Sequence, residues 1–207
     1  EYEGVLSTMT QGTLLVDHTT TSKELALEIA DACDAIGVHF LDAPVSGGQA
    51  GAENGVLTTM VGGDSKAFGQ VEPVMRCYTK HAQLMGGVGS GQTTKMVNQL
   101  AIAGILGGLS EALHFAECAG LDIDEVTNAI QGGAAQSWQV TNRAATIAKQ
   151  EYNFGFAIDW MRKDLDICLR EAESNGSPLP LVSLVDQFYK EVQLMGGGRW
   201  GTSSLIK

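Results

Sequence analysis

The chain has 207 residues, 44 % of them hydrophobic and 18 % charged, enough to bury a core in one or two domains and unlike the composition of a disordered polypeptide. Its 24 acidic residues outnumber 13 lysines and arginines, for a formal charge of −11. That excludes the basic footprint nucleic-acid binding requires and makes any locally clustered cation informative.

Thr13 to Asp17 reads as a buried strand. Thr21 or Ser22 caps a following helix that carries Leu25, Ile29, Ala32 and Ile36 on one face, and Gly37 stops it. Val38 to Ala43 is the next strand, so strand, helix and strand predict a right-handed βαβ unit. A Gly-rich turn, a strand from Val56 to Val61, a helix from Ser65 to Cys77 and a strand from Ala82 to Met85 continue a doubly wound α/β pattern with a mostly parallel sheet.

From Gly91 onward the pattern is helical almost without strand signal. A long helix through Ala119 carries small residues at Ala101, Ala103, Gly104, Gly107 and Gly108. Glycine costs helix propensity, so close packing is the expected compensation, with the helix buried on most sides against helices of one subunit or two. The apolar run Leu100 to Leu109 falls short of the roughly twenty residues of a bilayer span before Ser110, Glu111, His114 and Glu117 intervene, so it reads as a core helix. The first residues carry no charged-then-apolar leader pattern. Asp122 or Asp124 begins a helix toward Ile130, which Gly132-Gly133 ends. Further helices are predicted over Ser137 to Lys149, Ile158 to Asn175 and, after Pro178-Leu179-Pro180, Leu181 to Met195. The domain boundary is expected near residue 90, giving domains 1–90 and 91–207.

Cys33, Cys77, Cys118 and Cys168 are scattered without a Cys-x-x-Cys pair. Neither they nor His18, His39, His81 and His114 stand at metal-ligand spacing, which predicts reduced thiols in a cytoplasm and no metal site. Chemistry concentrates elsewhere. In Gly86-Gly87-Val88-Gly89-Ser90-Gly91-Gln92-Thr93-Thr94-Lys95-Met96-Val97-Asn98-Gln99 a glycine-rich turn runs into the long helix, and helical spacing places Lys95, Asn98, Gln99 and Ile102 on one stripe. An ammonium and two amides converging on a small polar molecule suit proton transfer at a carbonyl or hydroxyl oxygen, with Lys95 as general acid/base and Asn98 orienting substrate or lysine. A lysine near a helix start is otherwise a solvated surface residue, and Asn98 can instead satisfy a backbone group. Leu41-Asp42-Ala43-Pro44-Val45-Ser46-Gly47-Gly48 ends a strand in a Ser-Gly-Gly turn. Its hydroxyl and N–H groups suit a carboxylate, or form an ordinary turn. Phe156-Ala157-Ile158-Asp159-Trp160-Met161-Arg162-Lys163-Asp164-Leu165 is a third signature, and Trp138 and Trp160 nearby read as core before they read as cavity lining.

In this order the three segments resemble the β-hydroxyacid dehydrogenase family, which includes 3-hydroxyisobutyrate dehydrogenase and tartronate semialdehyde reductase, and the resemblance covers nearly the whole chain. It implies an NAD(P)-linked oxidoreductase acting on a small acid with a hydroxyl or aldehyde one carbon beyond the α-carbon. Lys95 and Asn98 would then be catalytic, and Ser46, Gly47, Gly48 and Gln99 substrate-binding. Thr20 and Lys163 match cofactor-contacting positions, although Lys163 can also pair with Asp159. The family's tail carries Asp where Gly201 stands. A homodimer or homotetramer through the all-α domain is implied as well. No Gly-x-Gly-x-x-Gly segment lies ahead of Thr13. The resemblance therefore implies that residues 1–90 are the C-terminal half of a Rossmann domain, and that the chain alone neither binds the dinucleotide tightly nor turns over. A non-catalytic dimerisation module and an imine reductase of the same architecture are the rival readings.

Overall fold

Alternating apolar residues broken by glycines lay down five strands in this computed structural model, which describes residues 4–206. They are β1 (Leu14–Asp17), β2 (His39–Asp42), β3 (Val45–Ser46), β4 (Leu57–Gly63) and β5 (Thr79–Gly86). β1 pairs in parallel with β2, and β4 with β5. Between these pairs the sheet reverses. Leu41 faces Gly63, Asp42 faces Gly62, Val45 faces Thr59 and Ser46 faces Thr58. The Met60 N–H also donates to the Pro44 carbonyl at 3.1 Å, so β2, Ala43-Pro44 and β3 run antiparallel to β4 in one register. The connection from Gly47 to Val56 holds only the short helix α2 (Gly48–Glu53), too little chain for the crossover a parallel return needs.

Helices cover both faces of this sheet because successive side chains of a strand alternate. Val38 and Phe40 pack with Ala26 and Cys33 of α1 (Lys23–Asp34), whereas Leu41 and Ala43 pack with Ala67 and Met75 of α3 (Ser65–Met75). Ser22 is the cap of α1, its Oγ accepting the Leu25 N–H at 3.1 Å.

The chain divides into two compact units, residues 1–98 and 99–207. By its contacts the division falls two turns inside α4 (Ser90–Cys118), whose first N–H groups are bonded into the sheet, as set out below. In the second unit, Asp122 caps α5 (Ile123–Ile130) and Ser137 caps α6 (Trp138–Ala148); α7 (Ile158–Asn175) and α8 (Pro180–Val192) follow. Leu109 and Leu113 pack with Val140, Ala144 and Ile147, and Ala103 with Ile158, Met161, Leu165, Val182 and Val185.

Within one chain α4, long and apolar enough to cross a membrane by length and composition alone, buries one stripe: Ala103, Leu106, Leu109, Leu113 and Ala116 are inside, while Ile105 and Phe115 are exposed. One expectation is corrected. Trp138 and Trp160 are 58 % and 49 % exposed and are not core. Each stands two positions from a residue on its helix's buried face, Val140 and Ile158 respectively, and so points away from it.

Candidate functional site

The strand pairings align four residues across the sheet. Asp17 faces Asp42, Asp42 faces Gly62, and Gly62 faces Gly86, so one row crosses the sheet where its direction reverses. β5 leaves this row through Gly87-Val88-Gly89 into α4. Gly89 has φ +86°, a conformation that favours glycine, and so the residue preceding the helix has no side chain with which to cap it. Asp42 supplies the cap from β2. Its Oδ1 accepts the Gly89 N–H and its Oδ2 the Gln92 N–H, each at 2.8 Å. Two glycines make room for that approach: a Cβ on Gly62 would collide with Asp42 Oδ1, and one on Gly91 would lie 2.6 Å from the Asp42 carbonyl oxygen. The carboxylate is fully buried. Burial pushes its pKa up, and the N–H donations pull it part of the way back.

One turn on, the buried Gln92 grips the loop that follows β1. Its Oε1 accepts the Thr21 N–H at 3.0 Å and its Nε2 donates to the Thr19 carbonyl at 2.7 Å, so Thr20 lies between two anchored neighbours. His18 adds a third tie, donating from Nδ1 to the Ala43 carbonyl at 2.6 Å with its Nε2 3.0 Å from the Tyr78 hydroxyl. Three segments distant in sequence, 17–22, 42–46 and 86–95, are thus bound to one another by buried or half-buried polar groups.

Lys95 follows Gln92 by three residues on this helix and is 6 % exposed, so it is not a solvated surface lysine; Asn98 is half-buried. Ser46 lies on the same extended run as Asp42, but four residues, about 13 Å, further along. Gly47 and Gly48 have φ of +128° and +61°, so the backbone there favours the two glycines.

The remaining residues belong to the second unit. Gln99 is buried, and its Nε2 donates to Asp164 Oδ2 at 2.6 Å; its amide N–H therefore serves a buried carboxylate of its own unit. Asp164 is also where Lys163 pairs, Nζ to Oδ1 at 2.9 Å, instead of Asp159, which accepts from Gln193. The acids Asp42 and Asp164 and the amide Gln92 were not singled out by sequence. All three lie inside the quoted motifs, and an acid set among apolar residues, as Asp42 is between Leu41 and Ala43, is the signal that could have marked them.

A nicotinamide dinucleotide fits these residues in part. The loop Thr19-Thr20-Thr21 at the end of β1 offers three hydroxyls beside the start of α4, to which Gln92 binds it. The β1–α1 turn from Asp17 to Ser22 contains no glycine for close approach of a pyrophosphate.

Comparison with known proteins agrees with this arrangement. Residues 89–207 match the family described as NAD-binding of NADP-dependent 3-hydroxyisobutyrate dehydrogenase, and residues 1–87 the NAD binding domain of 6-phosphogluconate dehydrogenase. An oxidoreductase of Shewanella frigidimarina is 59 % identical over 98 % of this chain and 70 % of its own length. The 2-hydroxy-3-oxopropionate reductase of Escherichia coli is 35 % identical over 95 % of this chain and 68 % of its own length. Among solved structures, a 3-hydroxyisobutyrate dehydrogenase from Salmonella typhimurium superposes with a TM-score of 0.88 at 31 % identity, covering 98 % of this chain and 72 % of that one.

Proposed function

Because the chain belongs to the β-hydroxyacid dehydrogenase family of oxidoreductases, whose cofactor is NAD or NADP, we propose that it interconverts a small 3-hydroxy acid and its aldehyde or keto acid. The nicotinamide, when bound, supplies or accepts the hydride. Everything else falls to the chain's own residues. Lys95 donates its ammonium proton to the carbonyl oxygen as that oxygen gains charge, or, once neutral, accepts the hydroxyl proton in the reverse direction. Asn98, on the same helix, orients the oxygen or the lysine through its amide. Ser46, Gly47 and Gly48 hold the substrate carboxylate by one hydroxyl and backbone N–H groups. Thr20 and Lys163 contact the cofactor, and Gln99, through its bond to Asp164, positions instead of binding.

The observation that carries this reading is a lysine 6 % exposed, near the start of a helix whose first turn is tied to the strand ends. A buried ammonium costs stability unless it is compensated, and proton transfer gives it a use. In the complete enzyme, with its whole dinucleotide-binding domain, Lys95→Ala is expected to lower kcat by at least about 10²-fold, the lower range for general acid/base catalysis, with an unchanged circular dichroism spectrum. Assays with 3-hydroxyisobutyrate and tartronate semialdehyde and both cofactors test it. Near-normal turnover by a folded variant would remove Lys95 from the mechanism.

A further inference from the structure

Of the five arginines, Arg76, Arg162 and Arg170 each pair with a carboxylate, at 2.9, 2.9 and 2.8 Å. Among the described residues neither Arg199, 5.5 Å from the centroid of the Trp160 ring, nor Arg143 makes an ion pair, although acids outnumber bases by 24 to 13, and the closer aromatic contacts are those of Arg143. Two aromatic rings seat it instead. Its Cζ lies 4.0 Å from the centroid of the Phe154 ring and 4.9 Å from that of Trp138, five residues back on α6. Trp138 is itself largely exposed, so the rings meet solvent around the cation.

Stacking on aromatic rings engages the plane of a guanidinium and leaves its edge donors directed outward in that plane. A guanidinium has five N–H donors, and Arg143 directs Nη1 to the Asn142 carbonyl at 3.0 Å. Burial against the rings also pulls its pKa down: the cation has lost hydration and gained no counter-charge. A half-desolvated, pre-oriented cation of this kind gains most from an anion with two coplanar oxygens. One guanidinium balances one negative charge, whereas phosphate sites gather several donors.

We propose that Arg143, seated on Trp138 and Phe154, is the recognition point for a small carboxylate, taken in bidentate fashion by the guanidinium edge. This site belongs to the second unit and does not rest on the reading of Lys95.

The test is nitrogen-edited NMR of the 207-residue chain titrated with sodium acetate and, separately, inorganic phosphate, at ionic strength held constant with chloride. Acetate is expected to shift the Arg143 Nε–H and Trp138 indole N–H resonances together and saturably, more tightly than phosphate does. Arg143→Met should abolish the response. Arg143→Lys, which keeps the charge but not the fork, should weaken it by about tenfold, the worth of one charge-assisted hydrogen bond, and remains informative if the methionine variant does not fold. Shifts that persist unchanged in either variant, that chloride alone reproduces, or that phosphate saturates more tightly than acetate would each overturn the proposal.

Discussion

A single carboxylate, Asp42, decides where the long helix begins. Gly89 must be glycine for its backbone, a glycine cannot cap, and the resulting need for an acceptor is met from a strand 47 residues earlier. Asp42→Ala leaves two buried N–H groups without their acceptor. It is expected to cost about 1–3 kcal/mol, the range for orphaning buried donors, and urea unfolding measures it; an unchanged midpoint would mean that the cap is energetically idle. Cys168 gives a pH-dependent expectation at the same scale. Burial first, then the neighbouring Asp164, pushes its thiol from 9.0 up to about 12. A raised folded-state value means that the folded chain retains this proton between pH 9 and 12. The associated stability is complete below pH 9 and is lost as pH rises through about 12. Iodoacetamide at pH 8 should accordingly label the exposed Cys77 and Cys118 in the native protein, and reach the buried Cys33 and Cys168 only after unfolding. Peptide mapping that finds Cys168 labelled as fast as Cys118 would contradict this.

At the scale of elements, the contact between α4 and α8 accounts for Gly107 among the glycines in the middle of a long helix. A Cβ at Gly107 would lie 3.1 Å from Val185 Cγ2, and one at Gly104 an ordinary 3.5 Å from Leu181 Cδ2. The two positions should therefore respond in opposite directions. Gly107→Leu overpacks the contact and is expected to cost about 1–3 kcal/mol. Gly104→Ala fits and removes a glycine from a helix interior, so it should stabilise by up to about 1 kcal/mol. Thermal unfolding of the two variants settles the sign at each position. The Gly-rich turn expected between the second and third strands folds as β3 and α2. β3 is two residues long and α2 six, too short for periodicity to register, and their placement follows from the register continued through Pro44.

For the whole molecule, the exposed side of α4 is the feature one chain leaves open. Phe115 is 73 % exposed, with Val97 and Ile105 also outside, and burying such surface is what an oligomer through the all-α domain would do. Sedimentation is expected to give a dimer or tetramer whose mass falls on Phe115→Asp; a monomeric parent chain would remove the assembly from the account. Much of this protein was legible one stretch at a time. The span of α7 from Ile158 to Asn175, the caps Ser137 and Asp122, and the change from strand to helix signal after Gly91 are all written in residues within one or two turns of each other, because caps and 3.6-residue periodicity are local physics. The family motifs pointed to Lys95 and Ser46 in the same way. Tertiary structure alone decided that Lys95 is buried, that Gln99 serves Asp164, that Trp138 faces outward, and that Asp42 and Gln92 lace three segments together. Those bonds join residues 47 to 73 positions apart, and no local pattern specifies which buried donor will meet which acceptor until the sheet has brought its strand ends into one row.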